Sequence, residues 1–319
     1  MPLRHYILIA AAAALLLAVA AILALPRRER WNPAYLRALD RIDIYDNAVG
    51  DALPQTAAHD IIMEHFAKAR EDGRTPKCLI VGYDGARAEA LAEILPNESG
   101  IQALADGGGK VYHMYTGGEP AARQLTDTAP GWAALLTGQW SKGEGGNGVV
   151  SNGVNKPAQA PPVLMTALLE QGLARKSVFA VSWNGHFADD GATYKYDIQY
   201  AAQKGLDARW ITVENDRQTQ ESMLQAVREG ADIVMGILEY CDHAGHGGGF
   251  GNRNPQYAEA FQRADRAALE LIRAVKARPA AEDWLVVLTS DHGGIGRGHG
   301  SRHAVCRQVF FAVNQTVKF

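Results

Sequence analysis

"LVVLTSDHGGIGRGHG", residues 285–300, runs four apolar residues and two small hydroxyl residues straight into Asp291 and His292. Four glycines then lead to His299. A short apolar run closed by such a loop reads as a buried strand. Its end releases one carboxylate and two imidazoles into backbone too glycine-rich to fix a shape by itself. Either this is a flexible surface turn, or it is one side of a metal site. Where the other strands end decides between the two.

The same pattern recurs along the chain. "KCLIVGYDG" (77–85) is an apolar run that ends in Asp84, with "ARAEALAEIL" (86–95) behind it as a helix. "DIVMGILEY" (232–240) ends just before Asp242, His243 and His246. Further strands are expected at 110–117, 177–183 and 308–314. Helices are expected from Gly131, over 161–172 with Gly172 as its stop, over 216–230, and over the amphipathic stretch 257–278. Strands alternating with helices predict an α/β fold, with a mostly parallel central sheet covered by helices on both faces. In such folds reactive groups collect beyond the carboxyl ends of the strands.

The rest of the chain sets bounds. With 319 residues and 47% apolar content it can bury one large core. A net charge of −3, without a long basic run, gives nucleic-acid binding little support. Cys78, Cys241 and Cys306 are too few and too scattered for a disulfide framework or a CxxC zinc site, although one disulfide is possible. Tyr6–Leu25 is an uncharged run of twenty residues, long enough to span a bilayer. Its only tidy A-x-A, Ala18-Val19-Ala20, lies inside the apolar stretch, which favours a retained anchor over a cleaved signal peptide. Arg27, Arg28 and Arg30 outweigh Arg4, and charge alone would turn the body towards the cytoplasm. The expected division is a membrane anchor or signal segment (1–30), a helical stalk or cap (31–75, with helices at 33–47 and 57–73) and a catalytic domain (76–319).

One Asp after a strand is most often a helix cap. Acids and imidazoles at three strand ends of one chain are a different matter. Carboxylate and neutral imidazole are ligands for zinc, and also serve manganese or iron. Asp242, His246 and His299 fill one three-ligand set, and Asp84, Asp291 and His292 a second. Two such ions about 3.5–4 Å apart suit in-line phosphoryl transfer. "LTDTAPGWAALLTG" (125–138) offers Thr126 and Thr128 as hydroxyl nucleophiles near a helix start, where an anionic phosphoryl group is also favoured.

In order, "VGYDG", "TAPGWAALLTG", "DHAGH", "SDHGG" and "GHG" resemble the alkaline phosphatase superfamily, most of all its type I phosphodiesterase and nucleotide pyrophosphatase branch, from about Lys77 onward. The resemblance implies that Thr128 is the nucleophile, not Thr126, and passes through a phosphothreonine intermediate. It implies that Asp242, His246 and His299 hold one metal, and that Asp84, Asp291, His292 and the Thr128 oxygen hold the other. It also implies that Asn152, in "GVVSNG", hydrogen-bonds a phosphate oxygen. His243 and His303 match no ligand position. Sulfatases of the superfamily carry Cys or Ser followed by x-Pro-x-Arg, where this chain has Thr128 and Trp132. Phosphoglycerate mutases of the superfamily use Ser and a large inserted domain for which there is little room. No Lys or Arg is assigned to the extra charge of a monoester; Arg297 and Arg302 flank His299 as loop residues, and Trp132 and Trp183 could wall a diester's leaving group. The expectation is a phosphodiesterase with two divalent ions, zinc first, acting on a small phosphorylated substrate. The alternatives are a phosphomonoesterase or phosphonate hydrolase with the same centre, or a non-catalytic membrane-anchored metal-binding module. Many relatives are secreted or periplasmic, and the body is accordingly expected outside the cytoplasm, secreted if the N-terminal segment is cleaved.

Overall fold

The computed structural model describes residues 52–188 and 190–317. The Tyr6–Leu25 stretch and the helix expected at 33–47 lie outside them. Among the described residues, no helix is long and apolar enough to cross a membrane.

Eight strands form one sheet: β1 (Leu53–Pro54), β2 (Thr75–Tyr83), β3 (Lys110–Tyr115), β4 (Ser177–Val181), β5 (Ala208–Thr212), β6 (Ile233–Leu238), β7 (Glu282–Thr289) and β8 (Gln308–Val313). Their order across the sheet is β1-β3-β8-β7-β2-β6-β4-β5. The block β7-β2-β6-β4-β5 is parallel throughout. β8 runs antiparallel to both β7 and β3, so the sheet is mixed. β5 was not expected. "ARWIT" has no continuous apolar run, because it lies at the sheet's edge with only partial burial.

The inner parallel strands are apolar on both faces, and each face carries its own core. Leu79, Val81 and Tyr83 of β2 pack on one side with the Asp216–Arg228 and Pro255–Lys276 helices. Cys78 and Ile80 pack on the other with the Ala57–Glu71, Thr128–Thr137 and Leu164–Glu170 helices. The Ala57–Glu71 helix therefore contributes Ile62 and Phe66 to the same core as the sheet. All three cysteines are free and buried.

One expected helix is shorter and tighter than its composition suggests. "ARAEALAEIL" forms a 3₁₀ helix over Ala88–Glu93. Arg87 before it is extended, with its N–H donated to the Tyr257 hydroxyl, and Pro96 follows soon after. The segment is pinned at both ends and has no room for a full α-helix. Conversely, Tyr240–Gly248 is helical although it holds three glycines, a composition of poor helix propensity. Packing decides there: Cys241 and Gly245 are buried.

A buried ion pair fixes where β2 and β6 begin. Lys77 Nζ lies 2.5 Å from Asp232 Oδ1 and donates to the Gly230 carbonyl at 2.6 Å. Asp232 Oδ2 accepts the Arg175 N–H at 2.7 Å. Burial pushes this carboxylate up, but Lys77 and the Arg175 N–H outweigh burial and hold it below the usual range. Asp232→Ala would strand the Lys77 ammonium and should cost about 3–5 kcal/mol of stability, read as a lower urea midpoint. In the wild type this contribution is present above the ordinary carboxylate range, and is lost as pH falls through the depressed folded value. The variant's deficit should therefore shrink in acid.

Candidate active site

The carboxyl ends of β2, β6 and β7, neighbours in the sheet, supply the acidic residues of one cluster. Asp84 follows β2, Asp291 and His292 follow β7, and Asp242 and His246 share a face of the Tyr240–Gly248 helix after β6. The loop after β7 brings His299 back to them.

Two glycines make the approach possible. An added Cβ on Gly82 would lie 2.4 Å from the Trp132 ring, so only glycine lets the Thr128–Thr137 helix sit this close to β2. Gly85 turns the chain after Asp84 at φ +69°, and an added Cβ there would lie 2.9 Å from the Asp242 Cα.

Every imidazole in the cluster is tethered by its Nδ1. His292 Nδ1–H donates to the Gly293 carbonyl at 2.8 Å, and His246 Nδ1–H to the Arg297 carbonyl at 2.8 Å. His299 Nδ1 is bonded to Asp127 Oδ1 at 2.9 Å. A carbonyl or carboxylate can only accept, so the proton sits on Nδ1 and Nε2 faces inward. His292 Nε2 lies 3.6 Å from Asp84 Oδ1, 3.4 Å from Asp291 Oδ2 and 3.3 Å from Thr128 Oγ1. His246 Nε2 is 3.2 Å from Asp242 Oδ2, and His299 Nε2 is 3.7 Å from Asp242 Oδ1. The His292 and His299 rings stack with centroids 4.1 Å apart.

The carboxylates are half satisfied. Asp84 Oδ2 accepts the Trp132 indole N–H at 2.8 Å, and Asp291 Oδ1 accepts the Gly85 N–H at 3.1 Å. Asp84 Oδ1, Asp291 Oδ2 and Asp242 Oδ1 are buried with no hydrogen-bond partner. Burial, then the Asp242 charge, pushes Asp84 up to about 8. Burial, then Asp84, raises Asp291 well above the carboxylate range. Asp242 is pushed up by burial too, but its bond to His246 and the charges of His292 and His299 bring it below that range. The Asp242 bond lifts His246 to about 9, while burial pulls His292 down to about 3. His299 rises because Asp127 and Asp242 outweigh its burial.

Orphaned oxygens and inward Nε2 atoms are what a divalent ion requires of its donors. Ligand-type atoms of Asp84, Asp291 and His292 all lie within 4.8 Å of one another, and so do those of Asp242, His292 and His299. His292 belongs to both groups. His246 joins through Asp242.

Thr128 opens the Thr128–Thr137 helix, buried, with its hydroxyl on His292. Asp127 holds the cap position but makes no cap bond with its side chain, which goes to His299. Asn152 supplies that contact instead: its Oδ1 accepts the Ala129 N–H at 2.8 Å. Asn152 and Thr128 thus meet at one helix N-terminus. Thr126 is occupied elsewhere, donating to the Ser301 carbonyl at 2.9 Å. Trp132 walls no leaving group; it is fully buried on β2. Trp183 is partly exposed and packs on Ala129 and Ala133. Arg297 and Arg302 are exposed. His243 lines a separate cavity of about 520 Å³ with Trp183 and Tyr240, and His303 Nδ1 lies 3.3 Å from the Ser301 hydroxyl.

Two contributors were missed in the sequence, Asp127 and Trp132 as a hydrogen-bond donor, and so were two buried neighbours of Asp84, Glu239 and His186, whose ligand-type atoms lie within 4.8 Å of it. Asp127 and Glu239 carried a signal, being acids beside Thr128 and at the end of β6. His186 carried none.

Residues 78–297 match the family described as type I phosphodiesterase / nucleotide pyrophosphatase, over more than half of the 319-residue chain. A search of curated proteins gave no match. Among solved structures the chain is similar to murine ectonucleotide pyrophosphatase/phosphodiesterase 5, at 17% identity and a TM-score of 0.46, over 68% of this chain and 57% of that one. It is also similar to the alkaline phosphatase of the Antarctic bacterium TAB5, at 13% identity and 0.47, over 75% and 92%. A third is the phosphonate monoester hydrolase of Agrobacterium radiobacter, at 14% identity and 0.48, over 75% and 68%. The chain spans little more than half the length of the murine structure it matches.

Asp127→Ala frees the His299 ring without touching a ligand-type atom of either group. Zinc affinity, measured by competition with a chelating dye, should fall about 10–100-fold. Unchanged affinity would mean that Asp127 does not orient His299 for a metal.

Proposed function

The chain belongs to the type I phosphodiesterase / nucleotide pyrophosphatase family, a family of phosphoric ester hydrolases, and we propose that it hydrolyses small phosphate diesters through Thr128 at a centre of two divalent ions. The observation that carries this reading is the set of three buried, unpartnered carboxylate oxygens facing three imidazoles tethered by Nδ1, with the Thr128 hydroxyl 3.3 Å from one of them. Asp84, Asp291 and His292, with the Thr128 oxygen, would hold one ion. Asp242, His246 and His299 would hold the other, with His292 near both sets. Mixed carboxylate and imidazole donors suit zinc, with manganese or iron as alternatives.

Bound ions would lower the pKa of the Thr128 hydroxyl and offset the negative charge on the phosphoryl oxygens and the leaving oxygen. The chain's own residues do the rest. Thr128 Oγ1 attacks phosphorus; an Oγ1–P bond forms, the bond from phosphorus to the leaving alcohol's oxygen breaks, and that oxygen departs with the electron pair and takes up a proton. Water then attacks the phosphothreonine, restores the hydroxyl and releases a monoester. The helix N-terminus beginning at Thr128 faces the anionic group. Asn152, anchored there through its Oδ1, is positioned to offer its amide N–H to a phosphate oxygen. Trp183, partly exposed against the same helix, gives the diester's second substituent an apolar neighbour and favours a diester over a monoester. We place this domain outside the cytoplasm, on the strength of the apolar Tyr6–Leu25 stretch and the family's secreted and periplasmic members.

The test is turnover of bis(p-nitrophenyl) phosphate beside p-nitrophenyl phosphate and a phosphonate ester. Diester hydrolysis should vanish on chelation, return with zinc, and fall on the order of 10⁴-fold or more in Thr128→Ala. A Thr128→Ala variant with wild-type turnover would sink the assignment. A faster monoester or phosphonate reaction would reassign the substrate class.

A further inference from the structure

Two imidazoles of the Asp242 set lean on one aromatic ring that lies outside every motif in the sequence. Phe250 stands two residues beyond the Tyr240–Gly248 helix and is 4% exposed. Its ring packs edge-to-face with that of His246, centroids 5.5 Å apart at 82°, and with that of His299 at 6.1 Å and 83°. The two imidazoles lie 5.0 Å from each other. Edge-to-face packing at these distances favours a particular ring plane as well as a position. A single Nδ1 bond leaves an imidazole able to rock about the line from its Cβ to the partner. Contact with Phe250 blocks that rocking on one side of each ring.

Glycines make room for the phenyl ring on two sides. An added Cβ on Gly245 would lie 2.5 Å from it, and one on Gly294 closer still. Gly245 belongs to the helix that carries Asp242 and His246, and Gly294 to the loop that carries His299. The main chain repeats the connection. Phe250 N–H donates to the Gly296 carbonyl at 2.9 Å, and the Phe250 carbonyl accepts Arg87 Nη1 at 3.3 Å, three residues after Asp84. The ring also rests on Tyr257 at 5.9 Å, and the Tyr257 hydroxyl donates to the Gly85 carbonyl at 2.7 Å. One residue thus ties together the segments that follow β2, β6 and β7. Filling the core would ask only for an apolar residue. A flat ring wedged between two glycines and against two imidazoles does more than fill.

We infer that Phe250 is a positioning residue, which holds the His246 and His299 rings so that both Nε2 atoms converge with Asp242 on one ion. This rests on the two-ion reading above and singles out one of its ions. Among the described residues the Phe250 ring packs on His246, His299 and Tyr257, and not on His292 of the Asp84 set.

The test is zinc titration of the full chain against a chelating dye, for wild type, Phe250→Leu, Phe250→Met and Phe261→Leu. Leu and Met keep apolar bulk but offer no flat face. Phe261 belongs to the same core, against Tyr83 and Phe310, and controls for lost packing. Wild type should bind two ions. In both Phe250 variants one ion should bind about 10-fold or more weakly while the other keeps its affinity. Phe261→Leu should keep both affinities at a comparable fall in Tm. Circular dichroism melts identify the folded variants, and Met, the more adaptable side chain, supplies the test should the Leu variant not fold. Unchanged affinities in a folded Phe250 variant would overturn the positioning role and leave the two-ion centre standing. Equal weakening of both ions, or the same selective loss in Phe261→Leu, would overturn it too. A wild type that binds fewer than two ions would overturn the two-ion reading and this inference with it.

Discussion

Buried negative charge at one rim of the sheet governs the architecture around it. Asp84, Asp242 and Asp291 lie where water cannot solvate them, and Glu239 is sealed in beside Asp84. Carboxylates in such company cannot all ionise unless cationic charge is supplied among them. The upward displacement of Asp84, Asp291 and Glu239 expresses that demand, with burial as the leading cause in each. Imidazoles tethered by Nδ1 and an indole N–H on Asp84 are arranged around it. His246 and His299, both raised by these acids, offset part of the charge, and each of these supports aims its donor at the cluster.

One short helix does much of the aiming. Asp127, just before it, orients His299; Thr128 at its start points into the cluster; Trp132, one turn on, steadies Asp84. Three residues within six positions thus reach three parts of the site. This requires the helix to lie hard against β2, which Gly82 permits, and to find its cap elsewhere, which Asn152 provides.

Much of this was legible in the residues. The buried parallel strands read as apolar runs because they are covered on both faces, and Asp84, Asp242, Asp291 and His292 stood directly at or just beyond their ends. Thr128 was visible through the pattern around Pro130. What stayed hidden was whatever depends on long-range packing. "YCDHAGHGG" looks like loop by propensity and is helix by burial. "ARWIT" forms a strand only because an edge was available. His186 follows an unremarkable stretch, and only the adjacency of β4 and β6 carries it to Asp84. Trp132 reads as an apolar wall until its N–H is seen to have a partner.

The lone antiparallel strand has a consequence for the order of assembly. β8 lies between β7 and β3, and among the described residues it is the only strand that joins the five-stranded parallel block to the β1–β3 edge. β3 is made nearly two hundred residues before the strand that accepts it, since His113 faces Phe310 and Lys110 faces Val313. On the ribosome, β1 and β3 therefore have one another but no sheet to join until β8 has been synthesised. The helix bearing Thr128 follows that waiting edge in sequence, while Trp132 and Ile80 lie in one core with Phe311 of β8. The pairing that closes the sheet thus waits for a strand made after every other strand of that sheet.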